Sequence, residues 1–356
     1  MSKIREIWTR WDVPLVSIFS GVLAGCFFRM LLTHKIPDLA STDLIISISF
    51  LAVVPFAMGY LGVHQYLRNT KRENPLWYHW LFLPWASVLL MLTGAFVFAL
   101  EGIICILMAS PIMLVSSILG GIAARLVWGR FKRRAPGTLS AFALPLLLLI
   151  VESQIPSPYQ IRTVQTEILI HAPAAIIWTN IKSVRAIRPS ELPTSWVTRI
   201  GFPKPIAATL SHGGTGGVRQ ATFTGGLVFT ETVNQWNPEQ DLRFSIHANT
   251  GSIPKSTLDE HVTIGGAYFD VLDGEYRLEP RPDGTLLHLT SRERLSTHIN
   301  PYAGVWTDAV MRAIQQQILK VIRARCESET ANSNLANRSN GFPRNTSNLR
   351  PSKLLP

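Results

Sequence analysis

The sequence predicts a membrane α-helical bundle joined to an α+β domain, in which an antiparallel sheet packs on one long C-terminal helix. Three observations predict it. Long apolar runs fill the first 155 residues. Short alternating segments, separated by Gly, Pro, Asn and Asp, fill the stretch after them. Pro301–Glu327 then carries Val305, Trp306, Ala309, Val310, Ala313, Ile314, Ile318, Val321 and Ile322 at three- and four-residue steps, the stripe of an amphipathic helix. Such a helix is not stable alone and needs a sheet to lie against.

The bundle comes first. Four runs reach the roughly 20 residues that cross a bilayer: Pro14–Leu32, Leu44–Leu67, Trp77–Leu100 and Ile103–Trp128. A fifth, Leu139–Val151, is shorter and reaches that length only when extended to Pro136–Ile155. The expected transmembrane region is therefore 1–155, with five helices at 14–32, 44–67, 77–100, 103–128 and 136–155. Lys3, Arg5 and Arg10 precede the first run, Arg68, Lys71 and Arg72 follow the second, and Arg130, Lys132, Arg133 and Arg134 follow the fourth. The first and third loops are poor in such residues. Positive loops stay in the cytoplasm, so the N-terminus is expected there, in an inner or plasma membrane. With the fifth run spanning, the C-terminal domain is expected outside. Gly21 and Gly25 are spaced for close helix packing. Arg29, near the outer end of its run, is expected to snorkel to the interface, and Glu101 to lie solvated in a tight turn.

Charge separates the parts. Residues 1–155 hold 13 Lys+Arg against 7 Asp+Glu, residues 156–327 hold 17 against 15, and the tail holds 4 against 1. The +11 net charge is thus a property of membrane loops and tail. A nucleic-acid-binding chain concentrates it on the folded domain, so nucleic acid is not an expected partner. Cys26, Cys105 and Cys326 have no paired spacing, and no HxH or HExxH occurs, so no metal or cofactor is expected.

The second domain follows element by element. Val164–His171 alternates as a strand, and Pro173 opens a helical segment through Trp178. A loop-rich stretch, Ser190–Pro205, comes next. Ile206–His212, Val218–Thr224, Leu227–Trp236, Leu242–Ala248, Tyr268–Leu278 and Thr285–Thr297 then read as hairpin strands. The glycines at 213–217 and 225–226 feed strands rather than helices, which makes them turns and not phosphate loops. Ser328–Pro356 is rich in Asn, Ser, Arg and Pro and is expected to be disordered.

The order of elements, the opening ILIHAPAAIIW, the middle GVRQATFTGGLVFTETVNQWNPEQDLRFSI and the closing helix resemble the SRPBCC superfamily, over about residues 160–327. That superfamily holds START-related lipid-transfer proteins and polyketide cyclases/aromatases. The resemblance implies a helix-grip fold, a sheet curled around the C-terminal helix with a cavity between them. It implies no shared catalytic motif.

Within such a cavity the candidates are few. Glu231 sits among apolar neighbours and Arg219 lies on the preceding strand, so a curled sheet is expected to bring them together, either as a structural salt bridge or as a pair that orients a polar ligand head. His247 alternates with Phe244 and Ile246. Trp196, Phe202, Phe223, Tyr268 and Trp306 are aromatic residues placed near the cavity opening. The expected function is a membrane-anchored binding module holding a hydrophobic small molecule or lipid at the outer face, with the bilayer as its other partner. Two alternatives stand beside it: a cyclase/aromatase-like enzyme using Glu231, Arg219 or His247, and a non-catalytic sensor or partner-docking domain.

Overall fold

The computed structural model describes residues 2–33, 46–70, 78–98, 100–131, 138–249 and 264–340. Its first half is helical: α1 (Ser2–Thr33), α2 (Val54–Thr70, entered through a π-helical turn at Ser49–Val53), α3 (His79–Val97), α4 (Ile103–Phe131) and α5 (Thr138–Ser153). Four stretches of these helices are long and apolar enough to cross a membrane: Val13–Leu31, Ser49–Thr70, His79–Val97 and Ile103–Arg130. At 16 residues, α5 is shorter. The helix expected at 136–155 ends at Ser153, and residues 136 and 137 lie outside the described residues.

Small residues set the spacing of the bundle. A Cβ on Gly59 would lie 1.9 Å from the Ser117 carbonyl oxygen, and one on Gly120 the same distance from that of Phe56. The α2 and α4 backbones therefore touch directly. Gly21 meets Ser87, and Gly25 meets Met91 and Met58, which seats α1 against α3 and α2. Arg29 and Glu101 depart from expectation. Arg29 is buried and pairs with Glu101 at 2.7 Å, so that neither group is solvated. Arg29 also donates to the Leu100 carbonyl. The pair satisfies two charges that the ends of α1 and α4 would otherwise leave in apolar surroundings.

The second half is a seven-stranded antiparallel sheet with order β1-β7-β6-β5-β4-β3-β2. Its strands are β1 (Tyr159–Ile170), β2 (Pro205–Leu210), β3 (Val218–Phe223), β4 (Val228–Asn237), β5 (Asp241–Asn249), β6 (Phe269–Arg281) and β7 (Gly284–Ser296). Two helices, α6 (Ala174–Lys182) and α7 (Trp196–Arg199), lie between β1 and β2, and α8 (Asn300–Asn340) closes the domain. The glycine runs are turns, as read. Gly214 and Gly216 between β2 and β3 take φ of 111° and 86°, a region that L side chains rarely enter. Leu242, Leu287, Leu289, Leu319 and Ile322 join Ile177 and Trp178 in the main core of this half.

The last helix corrects the expected tail. It continues from Glu327 to Asn340, through residues assigned to disorder. Polar anchors explain the extension. Glu329 accepts from Asn180 and from Arg185 at 3.0 and 2.8 Å, and Arg325 donates to Glu191 and to the Arg185 and Ala186 carbonyls. Residues 341–356 lie outside the described residues.

The two halves meet at named contacts. Tyr302 donates to the Met108 carbonyl at 2.6 Å. The Glu152 carboxylate, at the end of α5, accepts from the backbone N–H groups of Ile48 and Ser49 and faces the His298 ring at 3.2 Å. A carboxylate at the entry to α2 satisfies amides that have no helical partner there. Ile299 packs into the bundle core.

Candidate ligand cavity between the sheet and the bundle

A cavity of about 1300 Å³ lies between the sheet and α8 and continues into the bundle. Its wall in the domain comes from β2 to β7 and from one face of α8, where Tyr302, Trp306, Val310, Ile314 and Ile318 recur at helical spacing. Its wall in the bundle comes from α1, α3, α4, the turn between the last two, and the stretch entering α2 at Ile46, Phe50 and Leu51. The lining is overwhelmingly apolar.

Among the polar residues of the domain wall, which include Ser291, Thr307 and Gln315, the ion pair is Arg219 with Glu231. The two stand directly opposite each other on β3 and β4. They are 4% and 6% exposed and form an ion pair. The Arg219 guanidinium carbon lies 5.4 Å from the centre of the Phe244 ring and 6.0 Å from that of Tyr276, so the cation sits against two adjacent aromatic rings as well as being paired. Burial pushes the Glu231 carboxyl above the usual carboxylate range, and Arg219 pulls it back only in part. Burial also raises the Tyr276 phenol. The Arg219 Nε meets no protein acceptor among the described residues, which leaves one buried donor at this end of the cavity. A second polar pair, Arg29 with Glu101, lines the bundle end.

The structure divides the sequence candidates. Arg219, Phe223, Glu231, Phe202, Tyr268 and Trp306 line the cavity. His247 does not: the alternation that turns Phe244 and Ile246 inward turns it out, and it is exposed. Trp196 is 41% exposed and also lies off the wall, because the short α7 carries its side chain outward and buries Val197 instead. Sequence reasoning passed over Tyr276, Phe244, and the Arg29–Glu101 pair. Tyr276 and Phe244 were legible as inward positions of β6 and β5, whereas an ion pair between helix ends has no local signal.

Glu293 was also passed over. It lies on the inward register of β7, with no measurable exposure, under Thr307 and beside the Arg162–Asp308 ion pair. Burial, with Asp308 adding its charge, lifts its carboxyl to about 7 against the pull of Thr307 and Arg162. Among the described residues no three His, Cys, Asp or Glu side chains gather as metal ligands do.

No protein-family model matches the chain, and no curated protein does. Solved structures do match about half of the chain. DynU16, a protein of the dynemicin biosynthetic locus, is 16% identical over 47% of this chain and 48% of its own, with a TM-score of 0.29. Protein CV1439 of Chromobacterium violaceum is 16% identical over 46% of this chain and 96% of its own, with a TM-score of 0.30. Ara h 8.0201 is 12% identical over 48% and 99%, also at 0.30. With likenesses this low, the helix-grip assignment rests on the strand order and the enclosing helix described above.

Proposed function

We propose that the chain is a membrane-anchored binding module whose helix-grip cavity holds a hydrophobic small molecule or lipid. One observation carries the reading: an apolar cavity of about 1300 Å³ that runs unbroken from the sheet into helices long enough to cross a bilayer. Cavities of roughly 300–1,000 Å³ already enclose drug-sized ligands. The remaining donor on Arg219 supplies a polar contact for the ligand's head. The neighbouring Glu231 balances its charge there, which favours a neutral acceptor such as a hydroxyl or carbonyl over a carboxylate.

The membrane part of the reading draws on the bundle's ends. The domain packs on the end of the bundle that holds Leu100–Met108 and Glu152, whereas Arg68 and Arg130 lie at the last turns of α2 and α4, the opposite ends of those helices. With positive ends in the cytoplasm, this supports a domain on the outer face of an inner or plasma membrane. An enzyme reading finds less support. Glu231 is tied to Arg219, and His247 stands outside the cavity.

The test is native mass spectrometry of the full chain released from detergent micelles after incubation with a panel of neutral and acidic lipids. One lipid should stay bound per chain, and Val310→Trp, which fills the cavity from α8, should abolish it. Empty protein across the whole panel would remove the reading.

A further inference from the structure

The cavity does not end at the domain. Phe19, Val22 and Cys26 on α1 and Leu90 and Gly94 on α3 belong to its wall; Phe19, Cys26 and Leu90 stand on the outside of the bundle, and Val22 and Gly94 are half-buried. Phe19 is 54% exposed and Leu90 43%, and Cys26 is exposed. A groove between α1 and α3 therefore leads from the helix-grip interior, past the Arg29–Glu101 pair, to the surface that two candidate spans would present to lipid. Gly94 keeps the groove clear: a Cβ there would meet nothing within 4 Å, in contrast to Gly21 and Gly25, which are filled by neighbouring side chains.

We infer that the groove between α1 and α3 is a lateral portal, through which an acyl chain of a bilayer lipid passes between the hydrocarbon core and the helix-grip cavity. The inference rests on the binding reading and adds the source of the ligand. Water is a poor route for such a molecule, because each exposed CH2 costs about 0.8 kcal/mol there. A groove that stays apolar from membrane to cavity avoids that cost along its length. The Arg29–Glu101 pair is internally neutralised, so it offers a passing headgroup a polar contact without presenting a net charge to the chain.

The experiment uses the full chain in phosphatidylcholine vesicles that contain a long-chain alcohol bearing a diazirine. After irradiation, peptides are mapped for the label. In the wild type, label should appear on α1 and α3 and inside the grip, on β6 and α8. Gly94→Trp should keep the label on α1 and lose it inside the grip, while Gly94→Ala labels as the wild type does. A second block is made after folding: a bulky maleimide on Cys26 in a Cys105→Ser background should remove the internal label too, and this form decides the matter if Gly94→Trp fails to fold. Internal label that survives in the maleimide form overturns the portal and leaves cavity binding intact with another entrance. A wild type never labelled inside the grip overturns the binding reading, and the portal with it.

Discussion

At the scale of single residues the cavity is governed by where charges are buried. Arg219 and Glu231 face each other across β3 and β4. Removing either leaves the other unpaired, at roughly 3–5 kcal/mol for a buried ion. Arg219→Ala and Glu231→Ala should each cost about that much, and the double variant clearly less than their sum. Additive losses below ~1 kcal/mol each in chemical denaturation would mean that the pair is not buried in solution. Glu293 makes a second case. Its carboxyl is raised from 4.5 to about 7, chiefly by burial. Between those values the folded chain holds a proton that the unfolded chain has lost, so stability is greatest below 4.5 and declines as pH rises toward 7. The full decline is about 3 kcal/mol. Glu293→Gln should flatten it and stabilise the protein at pH 8, as read by unfolding midpoints across pH; an unchanged slope would refute the assignment. Both groups were open to sequence reasoning to different degrees. Arg219 and Glu231 could be paired because hairpin spacing and period-two alternation set their register. Glu293 follows the same alternation from Leu287 to Leu295, but a lone acid in RERL reads as surface until the strand's inward face is known.

At the scale of elements, small residues and polar anchors decide what composition suggests only loosely. The Gly21 and Gly25 spacing announced a close helix contact, and the structure has one. Gly59 and Gly120 hold α2 against α4, each meeting a backbone carbonyl of the other helix, a match that spacing within one helix does not reveal. Gly120→Ala should therefore push two backbones apart. The expected cost is about 1–3 kcal/mol, visible as a lower melting temperature in detergent. An unchanged melting temperature would mean that the helices do not meet there. The end of α8 was misread because its residues from 328 on are polar. Composition indicates whether a segment can bury apolar surface. It does not reveal that Glu329 and Arg325 find partners on α6 and the loop after it. Conversely, seven strands in order were legible, since their Gly, Pro and Asn punctuation and alternation are local properties.

At the scale of the whole molecule, function depends on how the halves sit together, and no local pattern in the sequence encodes that. The apolar runs mark candidate spans, and the resemblance over residues 160–327 implies a cavity. Only the packed structure joins them, through Tyr302 on Met108, and His298 beside Glu152. The proposed sidedness is open to labelling. In a chain freed of Cys26, Cys105 and Cys326, a cysteine replacing Asp283 in the β6–β7 turn should react with a membrane-impermeant maleimide in intact cells. One replacing Asn69 should react only after lysis. The reverse pattern would place the domain in the cytoplasm. The most direct test of the central claim is single-particle imaging of the full chain in lipid nanodiscs, with a bound antibody fragment for alignment. The proposal expects α1 to α4 within the lipid belt, and continuous elongated density in the cavity from Arg219 toward the Arg29–Glu101 pair. A bundle lying outside the belt, or a cavity closed by its own side chains, would contradict it.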